Sequence, residues 1–204
     1  MALTEEKLAQ LHREMRGCQK CLDAGYAITP GAVFAGPASA QVMIIGQAPG
    51  VTEAEVKRPF NGTSGTRLFQ WLAEAGWEED DFRGRHYMTA VTKCFPGKGK
   101  GGKGDRVPSR AEQKLCRPFL EQELALVAPE MIVPVGRLAI ELFFEGKFKL
   151  VNVVGTSRQD RQGRKIVPLP HPSGASLWLN RPAHQTRVAQ GLEILRRLRE
   201  ELAL

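Results

Sequence analysis

The sequence predicts an α/β protein in which helices cover both faces of a central, mostly parallel four-stranded sheet, forming a three-layer α/β/α sandwich. Two sequence patterns lead to this fold class, and the absence of repeats and linkers leads to the prediction of a single domain. Short apolar runs typical of buried strands alternate along the chain with longer amphipathic segments typical of helices. Strands that are joined through helices pair in parallel and carry helices on both faces. The 204 residues contain no internal repeat and no linker, so we expect one domain over residues 1–204.

Each element follows from a local pattern. Residues 4–15 place apolar side chains on one side after Thr4, a suitable N-cap residue, and predict the first helix. The spacing of Ser109 and Glu112 is that of a capping box and marks the start of a helix at 109–127. The same reasoning predicts strands at 42–46, 86–91, 131–135 and 165–169, and further helices at 64–75, 136–144 and 185–202.

The composition argues against a membrane-spanning protein and favours a polyanionic partner. No apolar run is long enough to cross a bilayer, and residues 1–16 are charged rather than signal-like, so we expect a cytoplasmic protein without a membrane partner. Lysine and arginine total 29 against 22 acidic residues, which gives a formal net charge of +7 at pH 7. This charge suits a nucleic acid, although an ordinary basic protein would also carry it. We expect a monomer.

Residues 95–108 interrupt the alternation of strands and helices. The segment has six glycines or prolines before Arg106, so it cannot bury an apolar face and predicts an exposed, mobile loop. Its cations could contact phosphates without fixed geometry, and these are Lys98, Lys100, Lys103 and Arg106. A solvated insertion without a binding role is the alternative interpretation.

The four cysteines predict one four-ligand site. Cys18 and Cys21 form a C-x2-C pair at the end of the first predicted helix, whereas Cys94 follows a strand and Cys116 lies inside a helix. A C-x2-C turn places two thiolates on the same side, as tetrahedral sulfur sites require. Disulfides are the weaker explanation in a cytosolic chain. The cysteine count leaves an iron–sulfur cluster and zinc as alternatives.

The loop 46–50, Gly-Gln-Ala-Pro-Gly, directly follows the first predicted strand. Glycine permits positive φ and a close approach of the backbone, and proline fixes φ. Loops at the carboxyl ends of such strands are where open α/β folds bind their ligands. The segment 59–62, Pro-Phe-Asn-Gly, suggests a second wall of the same pocket.

A third candidate segment, residues 171–181, follows the last predicted strand. His171 stands at the carboxyl end of that strand, on the same edge of the sheet as the glycine loop. Ser173 is small and polar and suits a phosphate contact. The apolar Leu177 and Trp178 suit a wedge that enters a stack of bases. Ordinary capping and packing are the alternative.

Together these motifs resemble the uracil-DNA glycosylase superfamily, and most closely its iron–sulfur branch, family 4. The resemblance covers nearly the whole chain. Family 4 carries a G-E-A-P-G loop, an acidic residue, R-P-F-x-G, T-N-x-x-K-C, C-R-P and H-P-S. The corresponding positions here are, in the same order, 46–50, Glu53, 58–62, 89–94, 116–118 and 171–173.

The resemblance implies a DNA glycosylase, which flips a damaged base such as uracil out of the helix and hydrolyses its N-glycosidic bond in base excision repair. Phe60 would be the aromatic residue on which the base stacks. His171 would stabilise negative charge on the departing base. The backbone around Gln47 and Ala48 would contact the base edge and position water, and Glu53 would orient that water or stabilise the sugar cation. The implied catalytic residues are therefore His171, Glu53 and Gln47.

The resemblance also implies how DNA and a cofactor would be held. Leu177 or Trp178 would fill the gap left by the base, while Ser173, Arg181 and the loop at 98–106 would hold phosphates. The cysteines fall where family 4 holds a structural 4Fe–4S cluster, with zinc as the alternative. The implied base-binding residues are Gly46, Gln47, Ala48, Phe60, Ala90 and His171.

Two positions depart from the family 4 pattern. Gln47 replaces its glutamate; family 1 also has glutamine there, but follows it with a catalytic aspartate where this chain has Ala48. Ala90 stands where family 4 has the asparagine whose amide reads uracil. A site that loses a hydrogen-bonding partner loses discrimination, so we predict specificity extending to other deaminated bases such as hypoxanthine or xanthine.

Two further hypotheses remain open. The first is a catalytically weak member that binds damaged or single-stranded DNA or its product. The second is a zinc- or cluster-stabilised nucleic-acid module without pocket chemistry.

Overall fold

A computed structural model describes residues 2–102, 104–174 and 177–204, and its centre is a five-stranded sheet. The strands are β1 (Val42–Gly46), β2 (Tyr87–Ala90), β3 (Met131–Pro134), β4 (Arg158–Gln159) and β5 (Lys165–Ile166). Their order across the sheet is β2-β1-β3-β5-β4, and all pairings are parallel except that of β4 with β5.

The prediction of a mostly parallel sheet is confirmed, but the predicted number of four strands is wrong. The extra strand, β4, consists of two exposed polar residues, so it carries no apolar pattern that would reveal it. The last predicted strand is also shorter than expected, because ladder pairing of β5 ends at Ile166. An isolated parallel bridge between Val135 and Leu169 continues its direction toward the edge where β1 ends.

Helices lie between most of the strands. They are α1 (Ala2–Arg16), α2 (Lys20–Asp23), α3 (Val51–Val56), α4 (Thr63–Glu74), α5 (Glu79–Arg85), α6 (Arg110–Val127), α7 (Arg137–Ile140), α8 (Leu150–Val153) and α9 (Pro182–Glu201). Short 3-10 turns cover Lys100–Gly102 and Leu177–Asn180. The predicted long helices are confirmed as α1, α4, α6 and α9, whereas the helix predicted at 136–144 ends at Ile140. The capping box of α6 is present, with Ser109 and Glu112 each accepting from the other's backbone N–H.

The sheet separates two apolar cores, which confirms the three-layer arrangement. Val42 and Ile44 of β1 point into one core, which α4 and α9 cover. Met43 and Ile45 point into the other, which α1 and α6 cover. This alternation follows from the two-residue period of a strand, and the apolar run of β1 is buried on both faces. Among the helices of the described ranges, none has the length and hydropathy that a bilayer crossing requires.

Candidate active site

A pocket of about 410 Å³ lies at the carboxyl ends of β1, β2 and β3. The parallel register sets Gly46 at the end of β1 beside Ala90 at the end of β2, and both buried residues line the pocket. The structure brings the three candidate segments of the sequence together here. The predicted site residues that line this pocket are Gly46, Gln47, Ala48, Glu53, Phe60, Ala90, Lys98, His171 and Ser173.

Phe60 forms an aromatic wall directly over the end of β1. A Cβ on Gly46 would lie 3.0 Å from Cζ of Phe60, so a larger residue at Gly46 would displace the ring. The backbone of Phe60 is left-handed, with φ of 51°. This conformation costs a non-glycine residue about 1–2 kcal/mol, so the surroundings must hold it. Gly65 makes room for this backbone conformation, because a Cβ at that position would clash with the carbonyl oxygen of Phe60.

Arg83, which the sequence did not reveal as a site residue, stabilises the backbone that carries Phe60. Its guanidinium donates to the carbonyl oxygens of Pro59 at 2.8 Å and Phe60 at 3.0 Å, while its Nε donates to Glu79 at 2.8 Å. It also stacks 4.2 Å from the ring centre of Phe69. Burial lowers the pKa of Arg83 from its ordinary value. The i, i+4 pair with Glu79 is visible in the sequence, but the contact with Phe60 is not.

Glu53 also contacts the segment that carries Phe60. Its carboxylate accepts the backbone N–H of Gly50, and the backbone N–H groups of Phe60 and Asn61 lie near it. Burial raises the pKa of Glu53, and these three backbone N–H groups oppose the rise. The carboxylate therefore lies between the glycine loop and the Phe60 segment. In the structure Glu53 therefore contacts backbone N–H groups, whereas the family resemblance implies that it contacts the reacting water.

His171 is held as a neutral donor. Its Nδ1 accepts the backbone N–H of Ser173 at 3.2 Å, which leaves the proton of the neutral ring on Nε2. Burial lowers the pKa of His171, and the charge of Asp105 opposes this shift. The ring packs against Gly136, where φ is +85° and a Cβ would lie 3.3 Å from the ring's Cδ2. Glycine is therefore favoured at Gly136 both by its backbone and by the closeness of the imidazole.

A buried ion pair lies behind Ala90. Nζ of Lys93 donates to the carbonyl oxygen of Ala90 at 2.6 Å and to Oγ1 of Thr89 at 2.7 Å, and it pairs with Glu123. Both charged side chains are almost fully buried, with 2% and 0% exposure. The pair fixes the backbone of the pocket wall, whereas the side chain of Ala90 contributes only a methyl group. Sequence reasoning missed the Lys93–Glu123 pair.

In the segment 95–108, the described residues Lys98, Gly104 and Asp105 line the pocket, and the phosphate contacts of the segment's cations stay a prediction. Lys98 pairs with Asp105 at 2.8 Å, and both line the pocket. Arg106 binds the buried Glu112 through both terminal nitrogens, at 2.7 and 2.6 Å, so it stabilises the start of α6. Lys100 is exposed, and Lys103 lies outside the described residues.

The predicted wedge residues differ in exposure. Leu177 is 77% exposed at the start of a 3-10 turn. Trp178 instead stacks on His184 with ring centres 4.2 Å apart and packs against the core that α4 and α9 cover. Arg181 is exposed just before α9. The structure thus leaves Leu177 as the apolar side chain presented to solvent.

The four cysteines line a second cavity, beneath α1, α2 and α6. All four are free thiols, and Cys116 accepts the backbone N–H of Lys93 at 3.3 Å. Burial raises the pKa of Cys21 and of Cys94 to about 11. Over residues 2–102, 104–174 and 177–204, no group of three or more histidine, cysteine or carboxylate side chains is arranged to hold a metal ion. The four cysteines therefore share one cavity.

Comparison with known proteins agrees with this geometry. The sequence pattern described as the Uracil DNA glycosylase superfamily matches residues 33–193. The chain is 30% identical to the type-4 uracil-DNA glycosylase of Thermotoga maritima, over 83% of this chain and 84% of that protein. It is 33% identical to the type-4 enzyme of Pyrobaculum aerophilum, over 76% and 75%, and 32% identical to that of Archaeoglobus fulgidus, over 82% of each. The chain therefore belongs to the uracil DNA glycosylase superfamily.

Proposed function

We propose that this protein is a uracil-DNA glycosylase of base excision repair that also accepts other deaminated bases. Membership of the superfamily makes it a hydrolase of N-glycosidic bonds. The observation that carries the proposal is the pocket itself, in which the ring of Phe60 lies over Gly46 and the neutral His171 lines the same space. A flat hydrophobic wall and a hydrogen-bond donor are what an extruded base requires.

The chemistry follows from the protonation state of His171. As the glycosidic bond breaks, its electron pair leaves with the base, and negative charge develops on the base oxygen and nitrogen. The Nε2–H of the neutral imidazole donates to that charge, and the donor is already in place before the reaction starts. Stacking on Phe60 holds the base in the plane that this hydrogen bond requires. The pocket thus stabilises the leaving group without transferring a proton to it.

DNA binding rests on the rim of the pocket. Lys100 and Arg181 are exposed cations, Lys98 lies at the pocket mouth, and Ser173 lines it. Such groups position the phosphate backbone without reading sequence. Leu177 is the exposed apolar tip that would fill the space left by the flipped base.

Base choice depends on the floor of the pocket. Ala90 offers only a methyl group at the position where family 4 has the asparagine amide that reads uracil, and the glycine loop offers Gln47 and Ala48. A site without that partner does not penalise bases with a different edge. The expected substrates therefore include hypoxanthine and xanthine beside uracil.

We also propose that the cysteine cavity holds a 4Fe–4S cluster through Cys18, Cys21, Cys94 and Cys116. All four thiols line that cavity and are free of disulfides, which fits a cluster with four thiolate ligands. Zinc bound by the same four thiolates is the alternative. When bound, the cluster would cross-link the turn after α1, α2, the segment after β2 and α6, without redox turnover. Iron and acid-labile sulfide in the purified protein, as opposed to zinc, are the expected result of metal analysis.

The function is tested with oligonucleotides that each carry one uracil, hypoxanthine or xanthine, single-stranded and in duplex. Wild-type protein is expected to release uracil and at least one deaminated purine, seen as strand cleavage after alkali. Ala90→Asn restores an amide to the floor and should raise the ratio of uracil to hypoxanthine release by at least about tenfold. An unmodified duplex is the control. Tight binding of damaged DNA without any release would contradict the proposal and favour the non-catalytic binding protein.

A further inference from the structure

The reacting centre of the proposed glycosylase needs a group that handles water, and two carboxylates line the pocket within the described residues. Glu53 is committed elsewhere, because it accepts the backbone N–H of Gly50 and lies near the backbone N–H groups of Phe60 and Asn61. Removing it from that role would leave the N–H of Gly50 without this acceptor. The other carboxylate, Asp105, has no such structural commitment.

The contacts of Asp105 leave one of its oxygens available. Oδ1 accepts from Nζ of Lys98 at 2.8 Å. Oδ2 lies above the glycine loop, 3.1 Å from where a Cβ of Gly50 would be, and the described part of the chain supplies no hydrogen-bond donor to it. The absence of a side chain at Gly50 therefore keeps open the space in front of Oδ2. The side chain of Asp105 is 37% exposed, so water reaches this oxygen.

The position of Asp105 relative to the base site points to the sugar. A flipped base enters as far as the buried floor at Gly46 and Ala90, while its deoxyribose remains attached to the DNA backbone at the mouth. Asp105 lines the same cavity with its side chain 37% exposed to solvent, and its charge acts on His171. A carboxylate at the mouth thus faces the side of the pocket where the sugar carbon C1′ would lie.

We propose that Asp105 is the catalytic carboxylate of this enzyme, and this inference rests on the proposed function. The C1′–N bond breaks and its electron pair leaves with the base, so C1′ becomes cationic. The carboxylate stabilises that cation, and Oδ2 accepts one proton of the water whose oxygen forms the new bond to C1′. The remaining O–H becomes the hydroxyl of the abasic sugar. The proton on Asp105 then passes to solvent, and the base anion takes up a proton from solvent.

The first test compares Asp105→Asn with wild type under single-turnover conditions, with enzyme in excess over uracil-containing duplex. Loss of the carboxylate should slow uracil release by about 100-fold or more. Fluorescence anisotropy should show affinity for the same duplex within about threefold, since the substitution is nearly isosteric and removes one negative charge. Asp81→Asn is the matched control, because Asp81 is an exposed aspartate paired with Arg85 outside the pocket, and its release rate should match wild type.

The second test separates a catalytic carboxylate from a structural one. In Asp105→Ala the vacated space should admit formate, and formate should raise the release rate at least about tenfold over chloride at equal ionic strength. A structural role would not respond to formate. Equal release by wild type and Asp105→Asn, or no formate effect on a folded Asp105→Ala, would overturn this inference and leave the proposed function standing. Absence of uracil release by wild type would overturn both.

Discussion

Phe60 shows how much of the pocket depends on single residues behind it. Its left-handed backbone is unfavourable for an aromatic residue, yet its ring lies against Gly46. Glu53 lies near the N–H groups of this segment and Arg83 holds its two carbonyl oxygens. The conformation is therefore imposed by charged groups that bind backbone, and neither of them needs to contact a substrate.

Replacing Arg83 by methionine should loosen this support. The change leaves the carbonyl oxygens of Pro59 and Phe60 without their donors, while the methionine keeps most of the apolar contact with Phe69. Unsatisfied carbonyls at a largely buried site lower stability, so we expect the free energy of unfolding to fall by about 1–3 kcal/mol. Urea unfolding measures this effect. Single-turnover base release should also slow, because the Phe60 ring is no longer fixed.

Arg85→Met is the matched control for that prediction. Arg85 belongs to the same helix, α5, but is half exposed and pairs with Asp81 at 3.3 Å. An exposed i, i+4 pair contributes about 0.3–0.5 kcal/mol, so this variant should remain close to wild type in both measurements. Equal losses in the two variants would show that charge on α5, and not the contact with Phe60, is what matters.

At the scale of elements, the sequence reveals those whose length lets a pattern repeat. α4, α6 and α9 bury apolar residues at helical spacing over three turns or more, and their positions are predicted to within a few residues. α3, α5 and α8 have four to seven residues and are missed, because one or two turns show no period. The short strand β4 escapes for the same reason.

The candidate active site is likewise predicted only where a local sequence motif marks its residues. Gly46 and His171 are predicted because each follows a predicted strand, and Phe60 because it belongs to the R-P-F-x-G motif of the family resemblance. Asp105 and Arg83 are not, because their role arises from contacts between segments that are distant in the chain. The segment 95–108 looks like a flexible cationic arm from its composition alone. Its pairs Lys98–Asp105 and Arg106–Glu112 depend on geometry that composition does not encode.

The exposed lysines of that segment, Lys98 and Lys100, lead to a prediction about DNA binding. The double variant Lys98→Ala, Lys100→Ala should weaken binding to all DNA sequences and reduce the slope of log affinity against log salt by up to about 2, one for each phosphate that a lysine no longer neutralises. Anisotropy titrations at several salt concentrations measure the slope. Arg196→Ala serves as a comparison, because Arg196 lies near the far end of α9, about 22 Å along the helix from Arg181, and is paired with Glu193. A slope unchanged from wild type would make the segment a solvated insertion.

At the scale of the whole molecule, a buried histidine couples protonation to the stability of the fold. His86 is 1% exposed, and its ring packs edge-on against Trp77 and Phe82. Neither ring nitrogen has a hydrogen-bond partner among the described residues. Burial, with smaller effects from neighbouring arginines, lowers the pKa of His86 from 6.5 to about 4. The folded protein thus keeps this imidazole neutral in a place where a charge could not be solvated.

Acid should therefore destabilise the protein through His86. As the pH falls below 6.5, the imidazole gains a proton in the unfolded chain but stays neutral in the folded one until about pH 4, so the unfolded state is favoured across that window. At about pH 5 the difference in protonation amounts to about 2 kcal/mol of unfolding free energy, since each unit of pKa shift is worth about 1.36 kcal/mol.

His86→Phe removes the proton-binding group and keeps an aromatic ring in the site. Urea unfolding of both proteins at about pH 7.5 and pH 5 gives a double difference in which packing effects cancel. Wild type should lose about 2 kcal/mol more than the variant between these two conditions, and equal losses would show that His86 is not the group that acid titrates.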